Sequence, residues 1–171
     1  MRLEVDSTWD GHPARTDERV HLTLSPTLAG LRVEVDAPFH GDPPPPGEPG
    51  PCWELWEYEV VELFVVGATD RYTEVELSPH GHHLLLRLEG IRHVVEKMLP
   101  LDFRAQIVGA RWQGIALLPW DVLPPKPRRG NAFAIHGLGT QRRHLAASPL
   151  PGARPDFHQP DRFPSLTLTA P

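Results

Sequence analysis

Proline limits what this chain can fold into more than any other feature. The sequence holds 21 prolines and 14 glycines, about a fifth of its 171 residues, against an average proline share of roughly 5%. A proline inside a helix costs roughly 3 kcal/mol, so a long helical bundle cannot carry this load. A β-rich domain with many turns remains, or a disordered chain. Disorder is disfavoured by a hydrophobic content of 40% and five tryptophans. Arginine outnumbers lysine 15 to 2, a bias that a GC-rich genome produces together with extra proline. Part of the proline excess is therefore compositional.

The length predicts a single domain over residues 1–171, large enough to bury a core without disulfides or metals. The lone cysteine, Cys52, excludes an intramolecular disulfide. A net charge of −5 argues against a nucleic-acid partner. The charge is uneven: residues 1–80 carry 16 acids and 5 bases, whereas residues 81–171 carry 6 acids and 12 bases. Two such halves are expected to neutralise each other in the folded state. No apolar run reaches the ~18 residues needed to cross a bilayer, and the first residues lack a signal-peptide pattern. No membrane partner and a cytoplasmic location are expected.

Strand signals dominate. Leu3 and Val5 alternate with charge, Val20, Leu22 and Leu24 with His21 and Thr23, and Leu31, Val33 and Val35 with Arg32 and Glu34. Residues 58–66 are apolar on both faces and read as a central strand. Further strands are expected over 72–77, 83–88, 104–108, 111–118, 132–137 and 165–169. Residues 91–98 fit a short helix or a strand, and 120–123 a single turn. Nine or ten short strands separated by turns predict an all-β antiparallel β-sandwich. Three Pro-rich segments, 42–51, 124–130 and 148–160, read as stiff loops within it. Trp9, Trp112 and Trp120 read as core residues.

Three clusters could carry chemistry. Alternation places Tyr58, Val60, Glu62, Phe64 and Val66 on one face, which leaves Glu62 as a carboxylate among apolar neighbours. Glu74 and Glu76 share a face of the next strand with Tyr72. If the turn pairs residue 62 with 74 or 76, the carboxylates share a surface and need a partner: arginine (Arg87 is one candidate), a metal ion or a polyol. Trp53, Trp56, Tyr58 and Phe157 could offer flat faces to the C–H patches of a sugar ring. His80, His82 and His83, within Ser78-Pro79-His80-Gly81-His82-His83, form a loose histidine cluster without metal-ligand spacing, and His158 follows Phe157. No Gly-x-Ser-x-Gly elbow and no phosphate-binding glycine loop occurs.

These strings carry two resemblances. Thr8-Trp9-Asp10-Gly11, Ala37-Pro38-Phe39, Glu54-Leu55-Trp56-Glu57-Tyr58-Glu59-Val60-Val61-Glu62, Glu74-Val75-Glu76-Leu77-Ser78-Pro79-His80-Gly81, Phe133-Ala134-Ile135-His136-Gly137 and Pro155-Asp156-Phe157-His158 resemble the uncharacterised chromosome 4 open reading frame 33-like protein family. More remotely, the chain is similar to family 9 carbohydrate-binding modules and the wider dopamine-β-monooxygenase-N-terminal-like β-sandwiches. That likeness rests on Trp56, Glu59 and Val61-Glu62-Leu63-Phe64, then on Phe157, Pro160, Phe163 and the last strand. It implies a sugar clamped between Trp56 and Phe157 with its hydroxyls on Glu62. The chain departs from those modules in having Phe157 for a tryptophan, and Glu74 and Glu76 where they use arginine and an amide. Three carboxylates also suit a cation, an aminated ligand or a metal.

The expectation is thus a non-catalytic binding domain for a small-molecule or carbohydrate ligand, with Trp56, Tyr58, Glu62, Glu74, Glu76, Phe157 and His158 at the site and no cofactor. One alternative is a glycoside-type hydrolase using Glu62, Glu74 and Glu76 as catalytic carboxyls. The other is a metal or haem site using His80, His82 and His83, with His136 or His158.

Overall fold

The alternating runs of the sequence become the strands of two antiparallel sheets. A computed structural model describes residues 1–168. In chain order the strands are β1 (Arg2–Val5), β2 (Ser7–Thr8), β3 (Val20–Pro26), β4 (Gly30–Pro38), β5 (Val60–Val66), β6 (Arg71–Leu77), β7 (His83–Glu89), β8 (Val94–Glu96), β9 (Asp102–Val108), β10 (Arg111–Pro119), β11 (Arg129–His136) and β12 (Arg143–Ala146). A five-stranded sheet runs β1-β3-β4-β10-β9 and a seven-stranded sheet β2-β12-β11-β5-β6-β7-β8. Among the described residues there is no α-helix, only short 3-10 turns, and no helix long and apolar enough to cross a membrane.

Period-two patterning decides what each sheet buries. In the smaller sheet Val20, Leu22, Leu24, Leu31, Val33 and Val35 point inward, while the intervening polar residues stay partly exposed. They meet Val61, Leu63, Val65, Val75, Leu77 and Leu85 of the larger sheet, with Trp112 wholly buried between. The larger sheet is different because β5 is buried at every position. Its second face forms another cluster: Val60, Phe64, Val66, Leu84, Leu86, Leu88 and Phe133 pack under Leu55, Leu150, Phe157 and Phe163. The molecule therefore has three layers, two sheets and a covering of irregular chain drawn from 52–58 and 150–163.

Several expectations shift at their edges. The strand expected from residue 58 begins at Val60, because a 3-10 turn, Leu55–Glu57, occupies the preceding residues and Tyr58 closes it. The segment 124–130 gives up Arg129 and Gly130 to β11. Residues 91–98 supply a strand, β8, and no helix. The strand expected over 165–169 is reduced to an isolated bridge between Ser165 and Arg129, and its last residue lies outside the described residues. Strand β12 was unforeseen, since its Arg-His-Leu-Ala sequence shows no alternation.

Glu18 pins the chain between the two sheets. It is fully buried in the turn Thr16–Glu18. Its carboxylate accepts from Arg143 Nε at 2.8 Å and from the second guanidinium nitrogen at 3.1 Å, while the Arg15 backbone N–H donates at 2.8 Å. His136 Nε2 lies 3.2 Å away, its ring stacked on His40 at 3.5 Å. One carboxylate thus ties the chain before β3 to the end of β11 and the start of β12. Burial alone would raise its pKa, but these donors outweigh burial and hold it at about 2.

A folded pKa below the unfolded value stabilises the protein at pH above the unfolded pKa, and this stabilisation fades as pH falls toward the folded one. Glu18→Gln should therefore lower stability by about 1–3 kcal/mol at pH 7, with the gap to wild type narrowing between pH 4.5 and 3. Urea unfolding across that range measures it. A gap that stays constant would show that the charge of Glu18 is not what stabilises the fold.

Candidate functional site

The covering layer is incomplete, and it leaves a pocket of about 340 Å³ over the outer face of the larger sheet. Its floor is made by Glu62 and Phe64 of β5, Glu74 of β6, Leu86 and Leu88 of β7, Ile135 of β11 and His144 of β12. The walls are Trp53 and Trp56 on one side and Arg92, Val94 and residues 155–158 on the other. Of the residues anticipated from sequence, Trp56, Glu62, Glu74, Phe157 and His158 come together here.

The carboxyls dominate the chemistry. In the ladder Glu62 stands directly opposite Glu76, and Phe64 opposite Glu74, so all three acids project from one face of adjacent strands. They are 2%, 3% and 0% exposed for Glu62, Glu74 and Glu76. None forms an ion pair with arginine or lysine among the described residues; Arg87, the partner weighed from sequence, faces the other side of the sheet and pairs with Glu96. Glu74 Oε2 and both oxygens of Glu76 receive no hydrogen bond. Burial drives all three pKa values upward, that of Glu74 to about 8, and the mutual repulsion of the carboxyls adds to the rise at Glu62 and Glu76.

His158 sits beside them as a neutral ring. Its Nδ1 is 2.8 Å from the Tyr72 hydroxyl, which accepts from the Arg92 backbone N–H at 3.0 Å. The assignment that satisfies every group has Tyr72 donating to Nδ1, which leaves the proton on Nε2, 3.8 Å from Glu74 Oε2. Burial lowers the His158 pKa to about 4. His144, on the floor, is lowered by the same cause.

The aromatic walls are positioned by local polar contacts. Trp56 lies in the turn Leu55–Glu57, whose carbonyls at Trp56 and Glu57 accept from the Arg142 guanidinium. Trp53 meets Trp56 edge to face at 5.3 Å, and Lys97 Nζ lies 4.6 Å over the Trp53 ring. Phe157 is only 8% exposed and stacks on Phe133 at 4.0 Å, so one of its faces is already occupied. Arg92 donates to Asp156 Oδ1 at 2.7 Å, and so does the His158 backbone N–H at 3.0 Å, which holds the 155–158 wall in place.

Other expected site residues fall elsewhere. Tyr58 does not line the pocket; it closes the turn beside it. Glu76 stands beside Glu62 on the same face but is fully buried and does not line the pocket. His80, His82 and His83 diverge: the His80 ring meets Phe39, and His83 meets Phe103 on the opposite face of the sheet. His136 is bound into the Glu18 network. Among the described residues no three His, Cys, Asp or Glu side chains are arranged to hold a metal ion. Conversely, Trp53, Arg92, His144 and Asp156 line the pocket without having been assigned to it. Trp53 carried a signal in the Trp53-x-x-Trp56 pair, and Asp156 in its place before Phe157. Nothing in the sequence marks Arg92 or His144.

Two antiparallel sheets with a pocket walled by loops on the outer face of the larger one place the protein among the two-sheet β-sandwiches. Within that class the chain belongs to the UPF0462 family. It is 47% identical to the UPF0462 protein C4orf33 homolog of Mus musculus, over 95% of this chain and 89% of the mouse protein. It is 45% identical to UPF0462 protein C4orf33 of Homo sapiens over 98% of this chain and 88% of the human one, and 42% identical to the Danio rerio homolog over 98% and 89%. No protein-family model matches the chain. Among solved structures, a Bacteroides uniformis protein proposed to bind carbohydrate superposes with a TM-score of 0.76 over 96% of this chain and 84% of that one. At 16% identity this likeness concerns the fold.

A folded pKa raised above the unfolded value confers stability below the unfolded pKa, and that stability is lost as pH rises. Glu76→Gln should therefore be more stable than wild type by about 1–3 kcal/mol at pH 8, with the advantage gone near pH 4.5. Thermal and urea unfolding at both pH values check this. A destabilised variant at pH 8 would mean that the buried carboxyl has a partner the geometry does not provide.

Proposed function

We propose that the protein is a non-catalytic binding domain for a small polyhydroxylated ligand, a carbohydrate or similar polyol, taken up in the pocket over the larger sheet. The observation that carries this reading is the pairing of buried, unpartnered carboxyls on the floor with an indole wall. A buried polar group without a partner costs about 1–3 kcal/mol, and a hydroxyl removes that cost in either protonation state, because it both donates and accepts. Glu62 and Glu74 are presented to such a ligand from rigid strands. Trp56 offers an apolar face to ring C–H groups, and His158 adds an N–H beside Glu74. A volume of about 340 Å³ is at the small end of ligand pockets. The fold likeness to a protein proposed to bind carbohydrate supports the same class of ligand.

A carboxylate-based glycoside hydrolase would instead use Glu62 and Glu74, the two acids that line the pocket, as its carboxyl pair. Calorimetry against a panel of mono- and disaccharides should give at least one ligand, with Trp56→Ala weakening it at least tenfold while the variant keeps its unfolding midpoint. No heat across the whole panel would overturn the proposal.

A further inference from the structure

The pocket holds more carboxyl groups than a neutral sugar needs. Glu62 and Glu74 line it, and Glu76 stands beside Glu62 on the same face. The cations nearby are committed elsewhere: Arg92 to Asp156, and Arg142 to the backbone carbonyls of Trp56, Glu57 and Gly137. Glu74 Oε2 is more than nine-tenths buried, lacks a hydrogen-bond donor, and belongs to a side chain that lines the cavity. No protein group satisfies it.

The wall is matched to the same ligand chemistry. Indole faces attract ammonium groups through the ring quadrupole, by about 0.5–2 kcal/mol depending on exposure. Trp53 already holds the Lys97 ammonium at 4.6 Å. Trp56 stands edge to face with Trp53 at the pocket, so a second ammonium inside would meet carboxyl oxygens below and an indole to the side. Carboxyls and indoles lining one cavity form a site for an organic cation; with no three-ligand set among the described residues, a metal is not the fit.

We propose that the ligand is aminated: a polyol bearing a primary ammonium, such as an amino sugar, whose nitrogen sits on Glu62 and Glu74 against Trp56. This rests on the polyol-binding reading of the same pocket and narrows it to a class. The ammonium donates its protons to Glu62 and Glu74, and its charge offsets theirs, so both acids bind the cation as carboxylates. N-acetylation would abolish the attraction by removing the charge and adding bulk.

The test uses purified full-length protein and nine probes: glucose, galactose and mannose, their 2-amino derivatives, and their 2-acetamido derivatives, each titrated calorimetrically at pH 7. The expected result is one amino sugar bound at least tenfold more tightly than both its parent hexose and its acetamido form. In Glu62→Gln and Glu74→Gln, which keep shape and remove the charge, that preference should fall to within about twofold while the parent hexose still binds. A hexose that binds as tightly as its amine overturns this inference and leaves the polyol reading standing. Amine preference that survives in both variants also overturns it, because the carboxyls would not be its source. Silence from all nine sugars overturns the polyol reading and this inference together.

Discussion

The central strands of the seven-stranded sheet are buried on both faces, while among the described residues one other sheet covers it. Everything distinctive about the molecule follows from that imbalance. One face is covered by the smaller sheet, strand against strand. The other must be covered by chain without regular structure, and such chain brings unpaired backbone donors onto an apolar surface. Proline eases the conflict, because it has no N–H to satisfy and loses little entropy on ordering. Three of the fourteen residues in 150–163 are proline. Where N–H groups remain, buried side chains meet them. Glu59 accepts from the backbone of His40 at 2.9 Å and Asp42 at 3.3 Å, Asp42 accepts from Gly137 at 2.6 Å, and Asn131 bridges to Ser148. Gly137 is needed at its position: it has φ +78°, and a Cβ there would stand 2.5 Å from the Gln141 carbonyl oxygen.

The same imbalance explains how buried carboxyls arise on a sheet. A loop layer, unlike a second sheet, can stop short and leave part of the floor uncovered. The acids sit where the covering thins, at positions that alternation assigns to the apolar face. A chain optimised for stability alone would place leucine or valine there, as it does at Leu84 and Leu86 on the neighbouring strand. Local violations of an otherwise consistent pattern concentrate at functional sites, where stability is exchanged for chemistry. The charge split along the sequence resolves in the same way. Glu18 and Asp36 from the acidic half do meet Arg143 and Arg111 from the basic half. Glu62, Glu74 and Glu76 are buried acids that no arginine or lysine pairs with among the described residues.

Sheet architecture was legible in the sequence because period-two alternation reports burial directly. It identified β3, β4, β6, β7 and β10 closely, and the apolar run of β5 signalled a strand covered on both faces. Alternation also put Glu62, Glu74 and Glu76 on one surface before any register was known. It could not choose between residues 74 and 76 as the neighbour of Glu62, since both choices preserve the facing. Three features stayed illegible for a common reason. Strand β12 takes its conformation from pairing with β11 and β2 and lacks a pattern of its own. The return of residues 155–158 over the sheet depends on contacts such as Arg92 with Asp156, 64 positions apart. Trp53 and His144 reach one pocket by tertiary placement alone. Sequence periodicity describes an element; which loop lies across which face is decided by packing.

The direction of the carboxyls fixes the side from which a ligand is held. Residues 62, 74 and 76 share one sheet face, and indole, phenyl and imidazole groups line the same cavity as Glu62 and Glu74. What such a floor does well is hold a ligand from below through several oxygens fixed by the backbone, at low cost in reorganisation. Its raised pKa values also make occupancy and protonation compete, since each carboxyl can be neutralised by a proton or by a ligand's positive charge. Each proton held by the pocket would have to leave before a cation took its place, so a positively charged ligand would bind more tightly as pH rises through the raised carboxyl pKa values.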